Sequence, residues 1–299
     1  MQRYVNLLSD SGFKAVFGDE NNKDVVIDFL NAVLDGERTV KSIEYLPGEL
    51  SGRTVTSKGV RFDLVCREPD GSKFIVEMQR TRHSDDFYAR SVYYGALAFG
   101  TQLMSGMEYY CLSPVYVIGI MEGELKHEAA GPGNVVSRYS MVERSNGMVA
   151  PSTINCIFVQ LKRFELAREE CHTGFEKWCF VIKNIADLDE VPFEDDPFWR
   201  VSDACEISQF NPDKRLSYDA AVMTEFDYNH DMYYSRKEGH DEGFAEGKAE
   251  GKAEGKAEGK AEGLSLAKAE TARNLKSLGV DIQIICKATG LTAAQVEEL

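Results

Sequence analysis

Apolar residues at helical spacing open the chain, and alternating apolar residues follow them. Residues 12–34 carry the helical period, most clearly in their second half, and predict a helix that ends near Asp35 and Gly36. The period then changes to two, which predicts three consecutive strands in RTVKSIEYLP, GVRFDLVCRE and SKFIVEMQR. A helical pattern returns in DDFYARSVYYGALAFGTQLM, and PVYVIGIM is typical of a short buried strand. The predicted order is α-β-β-β-α-β, and the predicted fold class is α/β.

The second half of the chain is predicted to be mostly helical. Residues 124–164 indicate further strands and loops that end in the apolar run INCIFVQL, whereas 174–189 and 214–237 have helical patterns. We therefore expect a core with a β extension over 1–165, a helical region over 166–237, a repeat spacer over 238–263 and a small helical module over 264–299.

The repeat spacer contains four perfect copies of GKAE, from Gly247 to Glu262. Glycine at every fourth position costs about 1 kcal/mol each relative to alanine, and like charges fall at i,i+4, so a helix here is weak by itself. We expect a solvated or oligomer-supported helical spacer, with a flexible linker as the alternative.

The C-terminal module resumes a strong apolar period, with turns at Leu278-Gly279 and Thr289-Gly290. Thr292 and Gln295 form a capping box that begins the last helix. Three short helices permit either a helix-turn-helix that reads DNA or an assembly module. The last helix, TAAQVEEL, contains no Lys or Arg, which favours the assembly module.

Two acidic residues are predicted to face each other in the hairpin formed by the second and third strands. If the loop is Pro69-Asp70-Gly71, with glycine in the left-handed position, Glu68 pairs with Ser72. Counting back along both strands places Asp63 opposite Glu77. Their β-carbons would then lie about 4.5–5.5 Å apart on one face of the sheet.

The residues around this pair indicate a site set in a core. Gln79 is expected on the face of Glu77, opposite Arg61. The opposite face is expected to carry Phe62, Leu64, Cys66, Phe74, Val76 and Met78. Facing carboxylates repel each other, and a divalent cation between them would remove that repulsion, since Mg²⁺ takes one or two carboxylates and several waters. The alternative is a solvated sheet face that tolerates the repulsion.

Composition restricts the function less clearly than these motifs. The net charge of −15 counts against a nucleic-acid binder, although residues 238–263 alone hold eight Asp/Glu against four Lys. Seven cysteines lie scattered without a CxxC pair, which argues against a disulfide framework or a zinc site and predicts reduced thiols. No apolar stretch approaches a membrane span, and the N-terminal residues become polar too soon for a signal peptide, so we expect a cytoplasmic protein.

Together these segments resemble the Rpn family of recombination-promoting nucleases and transposases, within the PD-(D/E)XK nuclease superfamily. The resemblance rests on D63-x13-E77-x-Q79, on SDSGFKAVFG and RSVYYGALAFGTQL, and on LGVDIQIICKATGLTAAQVEEL after the repeats. It implies a mixed sheet flanked by helices, with a helical C-terminal extension. It also implies Mg²⁺-dependent hydrolysis of DNA phosphodiester bonds, with Mn²⁺ as a substitute, in a family that promotes recombination.

The resemblance also implies roles for individual residues. Asp63 and Glu77 would ligate the metal ion, and Gln79 occupies the position of the superfamily lysine. Glutamine carries no charge and cannot act as a base, so it can only orient water or a phosphate oxygen. We hypothesise that Lys14 on the first helix supplies the missing positive charge, with a solvated lysine as the alternative.

Further candidates follow the third strand. Arg90 and Tyr94 lie on one face of the next helix, where Arg90 could contact phosphate and Tyr94 could stack or hydrogen-bond. Tyr93 and Tyr94 could instead pack on the sheet. His83 is a candidate accessory base, although a lone loop histidine is usually solvated.

Three functions fit this pattern. The main interpretation is a metal-dependent DNA endonuclease that forms a homo-oligomer through its C-terminal helices, since a double-strand cut needs two active sites. The first alternative is an interaction protein that keeps the nuclease fold without its activity, because fold alone does not guarantee activity. The second is a transposase-like protein that transfers DNA strands.

Overall fold

The structure, a computed structural model, describes residues 3–50, 60–79, 85–103, 106–125, 134–151 and 153–299. The chain forms two compact units, Met1–Glu225 and Phe226–Leu299. Among the described helices, none combines the length and the apolar character that crossing a membrane requires.

Two helices, and not one, open the first unit. They are α1 (Asp10–Phe17) and α2 (Lys23–Leu34). The prediction of one continuous helix is wrong. Between α1 and α2 the Asp19 carboxylate accepts a hydrogen bond from the Asn21 N–H and begins a short 3-10 turn. The predicted end of the helix is confirmed, since Asp35 and Gly36 both have positive φ and terminate α2.

A mixed sheet forms the centre of the first unit. The strands are β1 (Glu44–Tyr45), β2 (Glu49–Leu50), β3 (Val60–Arg61), β4 (Leu64–Arg67), β5 (Lys73–Gln79), β6 (Val115–Met121), β7 (Val136–Tyr139) and β8 (Ile154–Gln160). Six of them lie in the order β1-β4-β5-β6-β8-β7, and β2 pairs with β3 apart from that sheet. The strands β5, β6 and β8 run parallel, and the other pairs are antiparallel. The predicted strands of the core are thus present, but the second one is divided.

The division falls within GVRFDLVCRE. Strand β3 ends at Arg61 and β4 begins at Leu64, and Arg61 pairs with Glu49 of β2. The predicted pairing of Arg61 with Gln79 is therefore wrong. The ladder between β4 and β5 stops at Leu64 because the next N–H along, that of Asp63, is bonded to a side chain of β5 and not to its backbone.

The two faces of the sheet pack against different helices. These helices are α3 (Asp85–Gly100), α4 (Gly174–Asn184) and α5 (Phe198–Cys205). One face packs with α1, α2, α4 and α5 and carries Leu64, Cys66, Phe74 and Val76, as predicted, with Met78 against its edge. The other face packs with α3 and carries Val65, Ile75, Val117 and Phe158.

Phe62 lies on the face opposite to the predicted one. Its side chain belongs to the core beneath α3, where it packs edge-on against Tyr94 with 5.1 Å between the ring centroids. The Phe62 N–H donates to the Gly48 carbonyl at 2.6 Å, so the chain turns towards β2 before β4 begins. A pattern of alternating residues cannot detect such a turn, because it assumes a continuous strand.

Helix α3 lies unusually close to the sheet. A Cβ atom on Gly119 of β6 would come within 2.5 Å of the Phe87 ring, and one on Gly95 of α3 within 2.5 Å of Ile154. Close packing of this kind leaves little freedom for the helix to move relative to the strands. The side chains of α3 are therefore held in fixed positions above β5 and β6.

The middle of the chain completes the same core. Trp178 of α4 packs against Phe17, Phe29 and Phe198, with ring centroids 5.3 to 5.9 Å apart. The predicted helix from residue 174 is confirmed, although it ends at Asn184 and continues as a 3-10 turn. All seven cysteines are free thiols, and five of them are buried.

The second unit is helical. It begins within helix α6 (Pro212–Ser277), at Phe226, and also contains α7 (Ile282–Thr289) and α8 (Ala293–Glu298). The GKAE repeat lies within α6, where no atom approaches the position of a Cβ at any of its glycines. The repeat is therefore a solvent-exposed helix. A small apolar cluster of Ala272, Ile285 and Val296 joins the last three helices, and the predicted capping box of Thr292 and Gln295 is confirmed.

Candidate active site

The hairpin of β4 and β5 has the predicted register. The Glu68 N–H donates to the Ser72 carbonyl at 2.9 Å, and Gly71 takes the left-handed conformation with φ 89°. Leu64 pairs with Val76, so the next position outward on each strand places Asp63 opposite Glu77. The turn thus determines which two carboxylates meet.

Backbone hydrogen bonds hold both carboxylates in place. Glu77 Oε1 accepts from the Asp63 N–H at 3.1 Å, and Asp63 Oδ2 accepts from the Met78 N–H at 2.9 Å. Each acidic side chain is therefore bonded to the strand that carries the other. Because the ladder has ended at Leu64, these N–H groups are available to the side chains.

Both carboxylates are removed from solvent. Glu77 is 5% exposed, and the side chain of Asp63 is 17% exposed. Burial, with the charge of Asp63 next in importance, raises the pKa of Glu77 to about 8. Burial also raises the pKa of Asp63, against the hydrogen bond from Met78 and the charge of Lys14, which both lower it. Without a compensating cation, the pair therefore retains a proton near neutral pH.

Lys14 of α1 reaches the pair from one side. Its Nζ lies 3.4 Å from Asp63 Oδ1 and 2.6 Å from Asp10 Oδ1. Burial lowers the pKa of Lys14, but the hydrogen bond to Asp10 and the charges of Asp63 and Asp10 outweigh that effect and raise it. Asp10 was not among the residues predicted from the sequence. Its i,i+4 spacing to Lys14 was the available signal.

Arg90 and Tyr94 of α3 approach from the other side. Arg90 Nη2 donates a hydrogen bond to Gln79 Oε1. The Arg90 guanidinium carbon lies 4.9 Å from the ring centroid of Phe87 and 5.9 Å from that of Tyr94. Burial, followed by the charge of Glu77, raises the pKa of Tyr94. The predicted common face of Arg90 and Tyr94 thus adjoins the strand that carries Glu77 and Gln79.

The structure brings the candidate residues to one end of β5. Lys14, Asp63 and Glu77 form one connected set, and Gln79 and Arg90 form a second set on the same strand and the adjacent helix. His83 lies outside the described residues. Within the described ranges, no group of three His, Cys, Asp or Glu side chains is arranged to hold a metal ion. Two carboxylates are nevertheless enough for Mg²⁺, which completes its shell with water and substrate.

A comparison with known protein families identifies the family of this chain. The model of the PD-(D/E)XK nuclease family transposases matches residues 7–235, most of the chain. The chain belongs to this family. Searches against curated proteins and against solved structures find no match.

Membership in the PD-(D/E)XK nuclease family transposases agrees with the mixed sheet, the flanking helices and the position of Asp63 and Glu77. It gives the chain a nuclease or transposase-like role. Nucleases of this superfamily usually use divalent metal ions, and the oxygen donors of Asp63 and Glu77 are the ligand type that such ions prefer. The matched range also includes α4 and α5.

The raised pKa of Glu77 predicts how stability depends on pH when EDTA removes divalent cations. Between the ordinary glutamate pKa of about 4.3 and the folded value of about 8, the folded state binds a proton that the unfolded state has lost, so stability falls as pH rises. Relative to Glu77→Gln, the wild type should lose on the order of 1.4 kcal/mol of unfolding free energy per pH unit in this window. Urea denaturation followed by the fluorescence of buried Trp178 measures this difference.

The matched control is Glu44→Gln, because the side chain of Glu44 is 66% exposed. This variant should keep the pH dependence of the wild type. Equal pH dependence in the wild type and in Glu77→Gln would show that Glu77 does not retain its proton.

Proposed function

We propose that this protein is a metal-dependent DNA endonuclease that hydrolyses phosphodiester bonds and acts in DNA recombination or in the movement of mobile elements. The observation that carries the proposal is the pair of buried Glu77 and half-buried Asp63, each bonded to the backbone beside the other. A fold has no structural need for two carboxylates side by side and largely removed from solvent, since their repulsion and desolvation destabilise it. A bound cation would compensate this repulsion and so explain the arrangement.

The donor set fits Mg²⁺, with Mn²⁺ as a substitute. Asp63 and Glu77 would hold the ion through carboxylate oxygens, and water and a phosphate oxygen would complete its shell. When bound, the ion would polarise the phosphate and lower the pKa of the attacking water. The carboxylates are already fixed by the N–H groups of Asp63 and Met78, so binding the ion would require little rearrangement.

Lys14 is proposed to supply positive charge at the edge of this pair. Its ammonium group contacts Asp63 directly, so it offsets the charge of the carboxylates that a DNA phosphate must approach. Tyr94 is proposed to contact the substrate, since its ring stands between Arg90 and Phe62 and its hydroxyl is near the charge of Glu77. Gln79 and Arg90 are proposed to act on the phosphate.

The acidic charge of the chain makes metal binding a condition for DNA binding. A net charge of −15 repels phosphate, and a divalent cation at the carboxylate pair would neutralise the two carboxylates. We therefore expect DNA binding to depend on the divalent cation. The DNA substrate and the free cysteines agree with a cytoplasmic location.

A second candidate function is strand transfer, because the matching family is described as a transposase family. Hydrolysis and strand transfer differ in the nucleophile that attacks the phosphate: water in the first and a DNA hydroxyl in the second. The same carboxylate pair would serve both. Joined DNA among the reaction products would identify strand transfer, whereas nicked and cut DNA alone would identify hydrolysis.

We also propose that the protein forms a homo-oligomer through its C-terminal helices. Among the side chains of the second unit whose burial is described, those of Ala272, Ile285 and Val296 are completely buried, while Leu278 and Ile284 are 78% and 58% exposed. Exposed apolar side chains on so small a unit indicate that it packs against another copy. A symmetric dimer would supply the two active sites that a double-strand cut requires.

The central test is cleavage of supercoiled plasmid by purified protein with Mg²⁺, Mn²⁺ or EDTA. Wild type should nick or cut the plasmid only with a divalent cation, and Asp63→Asn and Glu77→Gln should each lower the rate by at least about 100-fold, since each removes a charged ligand. Glu44→Gln serves as the control at an exposed glutamate.

Two results would contradict the proposal. Activity that survives both Asp63→Asn and Glu77→Gln would come from a different site or from a contaminant. Absence of activity with every cation would favour the interaction protein that keeps the fold.

A separate comparison tests Lys14. Lys14→Met should lower the cleavage rate by about tenfold or more, because it removes a cation beside Asp63, whereas Lys41→Met, at an exposed position, should not. Single-turnover kinetics measure the difference. A rate in Lys14→Met equal to that of the wild type would make Lys14 a solvated helix residue and nothing more.

Light scattering tests the oligomer. The wild type should have the mass of a dimer or a larger assembly, and Leu278→Glu with Ile284→Glu should shift it towards the monomer, because charge at an apolar interface opposes association. Met141→Glu, at a position that is 65% exposed in the first unit, should leave the mass unchanged. A monomeric wild type would remove the basis of the oligomer.

A further inference from the structure

The position of the superfamily lysine is occupied by Gln79, which leaves a charge to be accounted for. A lysine there would place an ammonium group beside the reacting phosphate, whereas an amide offers only hydrogen bonds. If the protein is the proposed nuclease, another residue must supply that charge. Two cations lie near enough to be compared, Lys14 on α1 and Arg90 on α3.

The charge of Lys14 is already matched by carboxylates. Its Nζ lies 2.6 Å from Asp10 and 3.4 Å from Asp63, so two negative charges surround one positive charge. Lys14 therefore balances the acidic side of the site.

The charge of Arg90 is offset less directly, since it lowers the pKa of Glu77 without forming an ion pair with it. Within the described part of the chain, Arg90 forms no ion pair, and its Nε is buried without a hydrogen-bond partner. Its Nη2 donates a hydrogen bond to Gln79 Oε1. A buried guanidinium group usually donates its hydrogen bonds to a carboxylate or a phosphate. Here the acceptor is a neutral amide, so the positive charge of Arg90 lies beside the Gln79 side chain.

The surroundings of Arg90 fix its orientation. The guanidinium lies over the Phe87 ring, and Tyr94 approaches it from one helical turn further along α3. Phe87 itself is seated on Gly119, where a Cβ would come within 2.5 Å of its ring. The distance between α3 and the strands therefore sets the distance between Arg90 and Gln79.

The hydrogen bond also determines which way the Gln79 amide points. Its carbonyl oxygen accepts from Arg90, so the opposite end of the amide is the NH₂ group, which can only donate. A nearby cation that withdraws electron density from the carbonyl strengthens the N–H groups as donors. Gln79 lies on the same face of β5 as Glu77, two residues further along.

We propose that Arg90 is the positioning residue that makes Gln79 equivalent to the missing lysine. Arg90 holds the Gln79 carbonyl and places positive charge behind the amide, and the Gln79 NH₂ donates to a non-bridging oxygen of the scissile phosphate. A lysine ammonium group would provide both positive charge and hydrogen-bond donors. Here Arg90 provides the charge and Gln79 provides the donors.

The test is to restore the lysine and ask whether Arg90 is still needed. Cleavage kinetics would be measured for the wild type, Arg90→Met, Gln79→Lys and the double variant Gln79→Lys/Arg90→Met. Arg90→Met should lower kcat by at least about tenfold with a smaller change in KM, since the lost interaction is strongest in the transition state. The double variant should return to within about threefold of the wild type.

The comparison that decides the question is between Arg90→Met and the double variant. Both lack the guanidinium and its packing on Phe87, so a loss of folding affects them equally and only the charge at position 79 differs. Arg67→Met, on an exposed arginine of β4, is the matched control and should keep the activity of the wild type.

If wild-type cleavage is observed and Asp63→Asn abolishes it, the proposed nuclease function stands. Two outcomes would then overturn only the role of Arg90. One is wild-type activity in Arg90→Met. The other is a double variant that is no more active than Arg90→Met, which would make Arg90 a structural residue. A wild type without metal-dependent cleavage would instead remove the proposed function, and the inference with it.

Discussion

The contact between Asp63 and Glu77 is the constraint on which the rest of the site depends. Each side chain is bonded to the backbone of the strand that carries the other, and the pKa of Glu77, which is 5% exposed, is raised to about 8 by burial and by the charge of Asp63. Such a pair destabilises the folded chain unless a proton or a cation compensates it. The divalent cation that we propose for this site would take the place of that proton.

The fold maintains the contact with local devices. The turn at Gly71 determines the register, and the end of the β4–β5 ladder at Leu64 frees the Asp63 N–H to hold Glu77. Helices on opposite faces of the sheet then add one cation each, Lys14 from α1 and Arg90 from α3. The chain belongs to a family of nucleases and transposases, and its proposed site lies at this end of the sheet.

The sequence correctly predicted the features that depend on residues close together in the chain. The turn residues predicted the pairing of Asp63 with Glu77, and helical periods predicted α3, α4 and the capping box at Thr292. It failed where a tertiary hydrogen bond interrupts a regular pattern. The bond from the Phe62 N–H to Gly48 divides the second strand, and the capping of a turn by Asp19 divides the first helix.

Contacts between distant segments were also beyond the sequence patterns. Asp10 joins the site through Lys14, and Arg90 meets Gln79 across the gap between helix and sheet. Neither contact follows from periodicity, because each depends on the distance at which a helix packs. That distance is set by residues such as Gly119, whose role appears only when the ring of Phe87 is seen above it.

The most direct measurement is calorimetric titration of the full chain with Mn²⁺ at pH 7, in two buffers of different ionisation enthalpy. We expect binding that releases a proton, because Glu77 must lose its proton to become a ligand, and we expect Asp63→Asn and Glu77→Gln to abolish that binding. A wild type that binds no cation, or variants that bind it as the wild type does, would contradict a metal site at this pair.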